Sequence, residues 1–370
     1  MGKKTVCLNM IVKNESHVIR RSLDSVKHLI DYWIIVDTGS MDGTQDIIKE
    51  HLKDIPGELH ERPWVNFGHN RNEALKLTHG KSDYILFIDA DDRLVLSEDF
   101  TLPPLIKDMY FVIQKETMAS GNNHRENHIS LLIKNDEDFE WDGVLHEFLK
   151  CPKEKSSSLL SGVYMEYCAE GDRSKDPQKI QKDIDLLTKG ISEDPFNARR
   201  YIFYLARTYW SIRDSMSALK YFEKRADMGG DPIEVYHCLL FIGILQRVLD
   251  YDPQIFINSF CKAHVYRPSR AEALYELARY YTESGNFLLG MLVSNAVSSI
   301  PMSTDNLFVE PWVYEWGGHL QFFVSAIQLG QQKEAQQALQ YLLSNPHLPD
   351  AVRKEFQLDE WNQKLNIKTA

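Results

Sequence analysis

The sequence predicts two architectures in one chain: an α/β domain on a parallel, doubly wound sheet, then an all-α domain of helical repeats. Three observations carry this. From Thr5 to about Lys134, apolar runs of strand length alternate with segments of helical spacing, the pattern of a parallel sheet flanked by helices. One run, Tyr84–Ile88, is continuously apolar and stops at Asp89, Asp91 and Asp92, which fits a strand buried on both faces. Beyond residue 176 the strand pattern ends and a period of 36 to 37 residues begins. The expected domains are 1–175 and 176–370, in keeping with ~150 residues per domain.

In order, Thr5–Val12 is the first expected strand. Ser16 is the expected N-cap of a helix carrying Val18, Ile19, Leu23, Val26, Leu29 and Ile30 at helical spacing. Tyr32–Val36 is the second strand, closed by Asp37-Thr38-Gly39-Ser40-Met41-Asp42-Gly43-Thr44. A helix from Thr44 to Lys53, a weak strand from Glu58 to Arg62, a helix from Asn70 to Leu77 and the strand Tyr84–Ile88 follow. Tyr110–Lys115 and His128–Lys134 read as further strands. Lys153–Ser158 and Gly171–Pro177 read as polar loops, the second marking the domain boundary.

Composition removes several classes. A net charge of −11 argues against broad binding to nucleic acid or anionic membranes. No stretch reaches the ~18 apolar residues that span a bilayer. The first residues lack the apolar core of a signal peptide, and Val6 stands where myristoylation needs Ser or Thr. Five cysteines without a C-x-x-C pair suit reduced thiols and a cytoplasmic setting.

Ligands of open parallel sheets bind at the carboxyl ends of the strands. Asp89 and Asp91 therefore stand where a ligand sits, and on a continuing strand both would face one spot. Paired carboxylates suit a hard divalent cation, Mn2+ or Mg2+, that bridges to substrate phosphates. Asp37-Thr38-Gly39-Ser40 is also the aspartic-protease signature, but that chemistry needs two such aspartates together, and the chain holds one copy. His146-Glu147 lacks the second histidine of H-E-x-x-H, so a zincin is not supported. Asn9–Ser16 has no glycine, unlike the Gly-rich loop with which nucleotidyltransferases cradle a triphosphate.

Five motifs stand in order: Lys13-Asn14-Glu15-Ser16, Val36-Asp37-Thr38-Gly39-Ser40 with Asp42-Gly43-Thr44, Arg71-Asn72 with Ala74-Leu75, Asp89-Ala90-Asp91-Asp92, and Trp141-Asp142-Gly143 with His146-Glu147. Together they resemble the family-two inverting glycosyltransferases of GT-A (Rossmann-like) fold, in the subgroup of lipopolysaccharide-core glucosyltransferases and peptide S-glycosyltransferases. The resemblance covers about Lys3 to Lys150. It implies a nucleotide-diphosphate sugar donor, most simply a UDP-sugar, and a protein, peptide or glycan acceptor. Asp37 would bind the base and Arg71 would lie by the nucleotide. Lys13, Asn14 and Glu15 would line the donor, and Asp89 and Asp91 would serve ribose and metal. His146 is the expected third metal ligand, and Glu147 the expected base, with Asp142 second and Asp92 third. The sequence departs from the family at Asp92, where Glu is usual, and at Ser130-Leu131-Leu132, where Arg-Leu-Phe is frequent.

In the second half Pro195, Pro232 and Pro268 stand 37 and 36 residues apart, and Leu205-Ala206-Arg207-Thr208-Tyr209 recurs as Leu277-Ala278-Arg279-Tyr280-Tyr281. This reads as tetratricopeptide-like hairpins. Trp312–His319 is atypical and opens a last hairpin, Leu320–Ser344. Stacked hairpins leave a concave face, so the repeats are expected to hold the acceptor or form a homo-oligomer. The rival reading is a repeat scaffold whose first domain binds nucleotide-sugar without turnover.

Overall fold

The computed structural model describes residues 3–117, 124–136 and 138–365. The described residues form two compact units, Met1–Glu116 with Asn127–Tyr204, and Thr117–Glu126 with Leu205–Ala370.

The first unit is built on an eight-stranded sheet. Its strands are β1 (Val6–Val12), β2 (Tyr32–Asp37), β3 (Gly57–Glu61), β4 (Tyr84–Phe87), β5 (Arg93–Leu96), β6 (Met109–Thr117), β7 (His124–Lys134) and β10 (Ser157–Tyr167). Between β7 and β10, β8 (Glu140–Asp142) and β9 (Phe148–Lys150) form a separate hairpin. The sheet order is β3-β2-β1-β4-β7-β6-β10-β5. The first four strands are parallel, with β1 in the middle and Val12 paired to Asp37. Connections leave β1 to one side through β2 and β3 and return to the other through β4. That reversal is a topological switch point, where side-by-side loops part and open a crevice.

Alternation along β4 explains its unbroken apolar run. Tyr84, Leu86 and Ile88 enter the core beneath helices α1 (Ile19–Val26) and α2 (Thr44–His51), while Ile85 and Phe87 pack on the other face with Leu75 of α3 (Phe67–Leu77).

The other half of the sheet differs from the expected parallel pattern. β7 runs antiparallel to β4, and β5 antiparallel to β10. β5 and β10 escape a reading by periodicity. β10 has one largely exposed face, and its register slips between Leu159 and Tyr164. Gly162 sits in that slip at φ 75°, and a Cβ there would lie 2.9 Å from Ser97 Oγ. The expected Ser16 cap is also replaced: α1 starts after Val18 without a side-chain cap, and the Ser16 N–H donates to Asp42 Oδ2 at 2.9 Å.

After β10 come the short helix α4 (Asp172–Lys175), α5 (Lys179–Glu193) and α6 (Ala198–Ser211). Composition changes near residue 176, but residues to Tyr204 stay with the first unit. Tyr201 is the reason: its hydroxyl donates to Asp194 Oδ2 at 2.9 Å and accepts the Val144 N–H at 3.3 Å.

The second unit continues as helical hairpins. Its helices are α7 (Ser215–Asp227), α8 (Pro232–Val248), α9 (Pro253–Tyr266), α10 (Glu272–Glu283), α11 (Phe287–Ser299), α12 (Gly318–Gln328), α13 (Gln332–Ser344), α14 (Asp350–Glu355) and α15 (Leu358–Lys364). α8 pairs with α9, α10 with α11, and α12 with α13. The repeated Leu-Ala falls on α6 and α10, where Leu205, Ala206, Leu277 and Ala278 are all buried. The proline period marks different edges: Asp231 caps the start of α8, whereas Asp194 and Arg267 close α5 and α9. A π-helical turn, Val313–Gly317, occupies the atypical Trp312 stretch. Buried Arg270 bonds Glu272, Asp305 and the carbonyls of Leu307 and Phe308, pinning the chain between α11 and α12.

Candidate active site

The loops after β1 and β2 are locked together. Asn14, at φ 56°, donates its N–H to Ser40 Oγ at 2.8 Å, and its Oδ1 accepts the Met41 N–H at 2.9 Å. The Glu15 N–H donates to Thr44 Oγ1 at 2.8 Å. Asp42 accepts from Ser16 and Thr44; against the cost of burial, these bonds hold its carboxyl well below the usual range. The two motifs are thus one structure. Lys13 is exposed beside it.

Asp37 closes β2 and is fully buried. Its Oδ1 accepts the N–H groups of Gly39 and Ser40, each at 2.8 Å, a turn that Gly39 permits at φ 109°. Its Oδ2 is buried with no hydrogen-bond partner among the described residues. A carboxylate oxygen left so is costly.

After β4 the strand geometry does not persist. The Asp92 N–H turns back to the Asp89 carbonyl at 3.2 Å, so Asp89 and Asp91 do not share a face as alternate strand residues would. The Asp89 carboxylate is half exposed and takes Arg71 Nη2 at 2.6 Å, while Asp91 Oδ2 accepts the Gly171 N–H at 2.9 Å. Asp92 is buried and accepts the Cys168 N–H at 3.2 Å. Burial, then the charges of Asp89 and Asp91, push its carboxyl up to about 8. Burial and Asp91 likewise raise Glu15 to about 7. Both groups therefore hold a proton more tightly than an ordinary carboxyl.

Arg71, from α3, is held on three sides. Nε donates to Glu147 Oε1 at 2.5 Å, Nη2 to Asp89, and the guanidinium lies 5.0 Å from the Trp141 ring centre. Despite burial, Asp89 and Glu147 keep it more firmly charged than usual. Arg71, expected by the nucleotide, is thus bonded to two carboxylates.

His146 and Glu147 point apart across a bend, not along a strand. Glu147 turns to Arg71. His146, at φ 53°, stacks on Tyr204 with ring centres 3.9 Å apart, and its carbonyl accepts Arg200 Nε at 2.9 Å. The bend begins at Gly143, φ 109°, whose carbonyl lies so near α3 that a Cβ on Gly68 would come within 2.4 Å of it. Asp142 is committed elsewhere, to Asn197 Nδ2 at 2.7 Å and Lys150 Nζ at 3.2 Å.

The segment after β10, which includes the polar loop Gly171–Pro177 expected at the domain boundary, is a wall of the site. Besides the Gly171 bond to Asp91, the Asp172 N–H faces the Glu15 carboxylate at 3.3 Å, and Asn14 Nδ2 donates to Asp172 Oδ2 at 3.3 Å. Arg21 binds Glu170 Oε2 at 2.5 Å and the Asp91 carbonyl at 2.6 Å. Arg21, Gly171 and Asp172 carry no local sequence signal, because their partners lie 70 to 158 residues away.

Among the described residues no group of three or more His, Cys, Asp or Glu is placed to hold a metal ion. Asp89, Asp91 and His146 therefore do not form a preassembled cage. The residue types still fit a hard cation: Asp91 and Asp89 offer carboxylate oxygens, and a site with one or two carboxylates borrows its remaining ligands from substrate phosphates.

The parallel half-sheet, its switch point and the carboxylates there define an α/β domain of GT-A type. Residues 7–143 match the family model described as Glycosyl transferase family 2, so the first unit carries a domain of that family. A TPR repeat-containing protein of Synechococcus elongatus is 32% identical over 149 residues, 39% of this chain and 35% of that protein. The SPbeta prophage-derived glycosyltransferase SunS of Bacillus subtilis is 38% identical over 89 residues, 24% of this chain and 20% of SunS. These matches thus span a fifth to about a third of the relatives' own length. Among solved structures, the crystal structure of MamA aligns with 54% of this chain and 99% of its own at 18% identity and a TM-score of 0.36.

Proposed function

We propose that the chain is a metal-assisted glycosyltransferase that moves a sugar from a UDP-sugar to a protein, peptide or glycan acceptor with inversion. The observation that carries the donor reading is the buried, unpartnered Oδ2 of Asp37 at the end of β2. Oδ1 is already used by two backbone N–H groups, which leaves one acceptor for one ring N–H. Uracil presents a single such N–H, whereas guanine would ask for both oxygens.

Asp91, helped by Asp89, would hold the cation, and a bound Mn2+ or Mg2+ would neutralise the diphosphate and ease its departure. Arg71 keeps Asp89 and Glu147 in fixed positions. Glu147 is the proposed base. Among the described residues the bond to Arg71 engages its Oε1, which leaves Oε2 as the atom to take an acceptor proton. Asp142 is the weaker candidate, since both its oxygens are bonded. A single displacement by an acceptor deprotonated there inverts the anomeric carbon.

The repeats are proposed to bind the acceptor or mediate self-association. The cytoplasm is the proposed setting: all five cysteines are free. No helix among the described residues is long and apolar enough to cross a membrane.

The test is release of UDP from a panel of UDP-sugars with Mn2+, in the intact chain and in Asp91→Ala. Turnover that Asp91→Ala abolishes supports the reading, as does UDP binding that weakens in the variant only when metal is present. Full activity in EDTA would refute the role of Asp91. Nucleotide-sugar binding with no turnover on any donor would favour the scaffold reading.

A further inference from the structure

Next to the Asp91 wall lies a second concavity, about 650 Å3 in volume, between α1 and residues 169–175. His17, Arg20 and Arg21 line one side, and Glu170, Ser174 and Lys175 the other. Its size is that of a small-molecule site. Its charge is unusual for this chain. Three permanent cations face one carboxylate, in a protein of net charge −11.

One of those cations, Arg21, is tied into the wall. Arg21 uses Nη1 on Glu170 and Nη2 on the Asp91 carbonyl, and its Nε is buried with no hydrogen-bond partner. The Glu170 carbonyl is bonded to His17 Nε2 at 2.9 Å, which fixes this wall. Among the described residues Arg20 and Lys175 make no hydrogen bond or ion pair, and they stand on α1 and α4 respectively. Cations on two walls of one concavity focus field on an anion between them, and guanidinium groups favour planar or tetrahedral oxyanions.

We infer that this concavity is an oxyanion-binding site. It takes a phosphoryl or carboxyl group carried on a small molecule, and it is separate from the donor crevice at Asp37. Arg21 links the two places, because the side chain that lines the cavity also holds the main chain of Asp91. The inference does not depend on glycosyl transfer.

The experiment is calorimetric titration of the full chain with glucose 6-phosphate, glucuronate and inorganic phosphate, with glucose as the neutral control. The expected result is binding of at least one anion, none of glucose, and weakening at higher salt. The tighter of glucose 6-phosphate and glucuronate identifies the group. The paired substitutions Arg20→Glu and Lys175→Glu, both on exposed side chains, should lower that affinity by about tenfold or more while UDP affinity stays unchanged. Three results would overturn the inference: no anion binding above the glucose control, equal binding in the paired variant, or a parallel fall in UDP affinity. The last would make the cavity part of the donor site.

Discussion

The Gly171 N–H donates to the Asp91 carboxylate at 2.9 Å, joining residues 80 apart. The stretch after the last strand thereby becomes part of the carboxylate site. A Cβ at residue 171 would lie 3.0 Å from Glu15 Oε1 and 3.1 Å from Asp91 Oδ2. Gly171→Ala should therefore displace one of these carboxylates without unfolding the chain. Mn2+ affinity is expected to weaken severalfold, and Gly171→Val to weaken it further. Unchanged Mn2+ titrations in both variants would separate this wall from the metal.

Asp37→Ala removes an acceptor that would meet the base in ground and transition states alike. The donor KM should rise with kcat little changed. Affinity for UDP should fall by about tenfold or more, the scale of a hydrogen bond to a charged group. Calorimetry showing unaltered UDP affinity would reject the pocket.

Glu147→Gln keeps the shape beside Arg71 and removes the proton acceptor. Donor affinity should persist while kcat falls by roughly a hundredfold or more, as for loss of a general base. Near-normal turnover in Glu147→Gln, with collapse in Asp142→Asn, would move the role to Asp142.

Glu15 and Asp92 are raised to about 7 and about 8, chiefly by burial and then by neighbouring aspartates. In the unfolded chain both titrate near ordinary carboxyl values, so the folded chain binds more protons between roughly pH 4 and 8. Stability should fall as pH rises through that window in EDTA. Mn2+ should restore it at the upper end, and Glu15→Gln should flatten the slope. A Tm that is level across the window in EDTA would contradict these raised carboxyls.

Fragments ending at Asp176 and at Tyr204 should differ. The shorter one strips Asn197 from Asp142 and Tyr201 from Val144, and exposes the sites where Leu187, Ile202 and Phe203 are buried. The longer fragment is expected to be the more soluble and, on the proposed function, to hydrolyse donor slowly without transferring to the natural acceptor. Undiminished transfer by the longer fragment, with the oligomeric mass of the full chain, would remove the role given to the repeats.

The sequence by itself determined the parallel half of the sheet, its helices and the repeat period, because these follow from burial at periods of two and 3.6 residues. It also placed Asp37, Asp89 and Asp91 after strands, since a strand's end is a local property. Tertiary structure alone decided which groups meet. Arg71 lies between Asp89 and Glu147, His146 turns away onto Tyr204, and Arg21, Gly171 and Asp172 close the carboxylate site. These are contacts between distant residues whose local sequence carries no periodicity. Only when β1, β2 and β4 lie side by side do their loops, and the wall after β10, come within hydrogen-bond range.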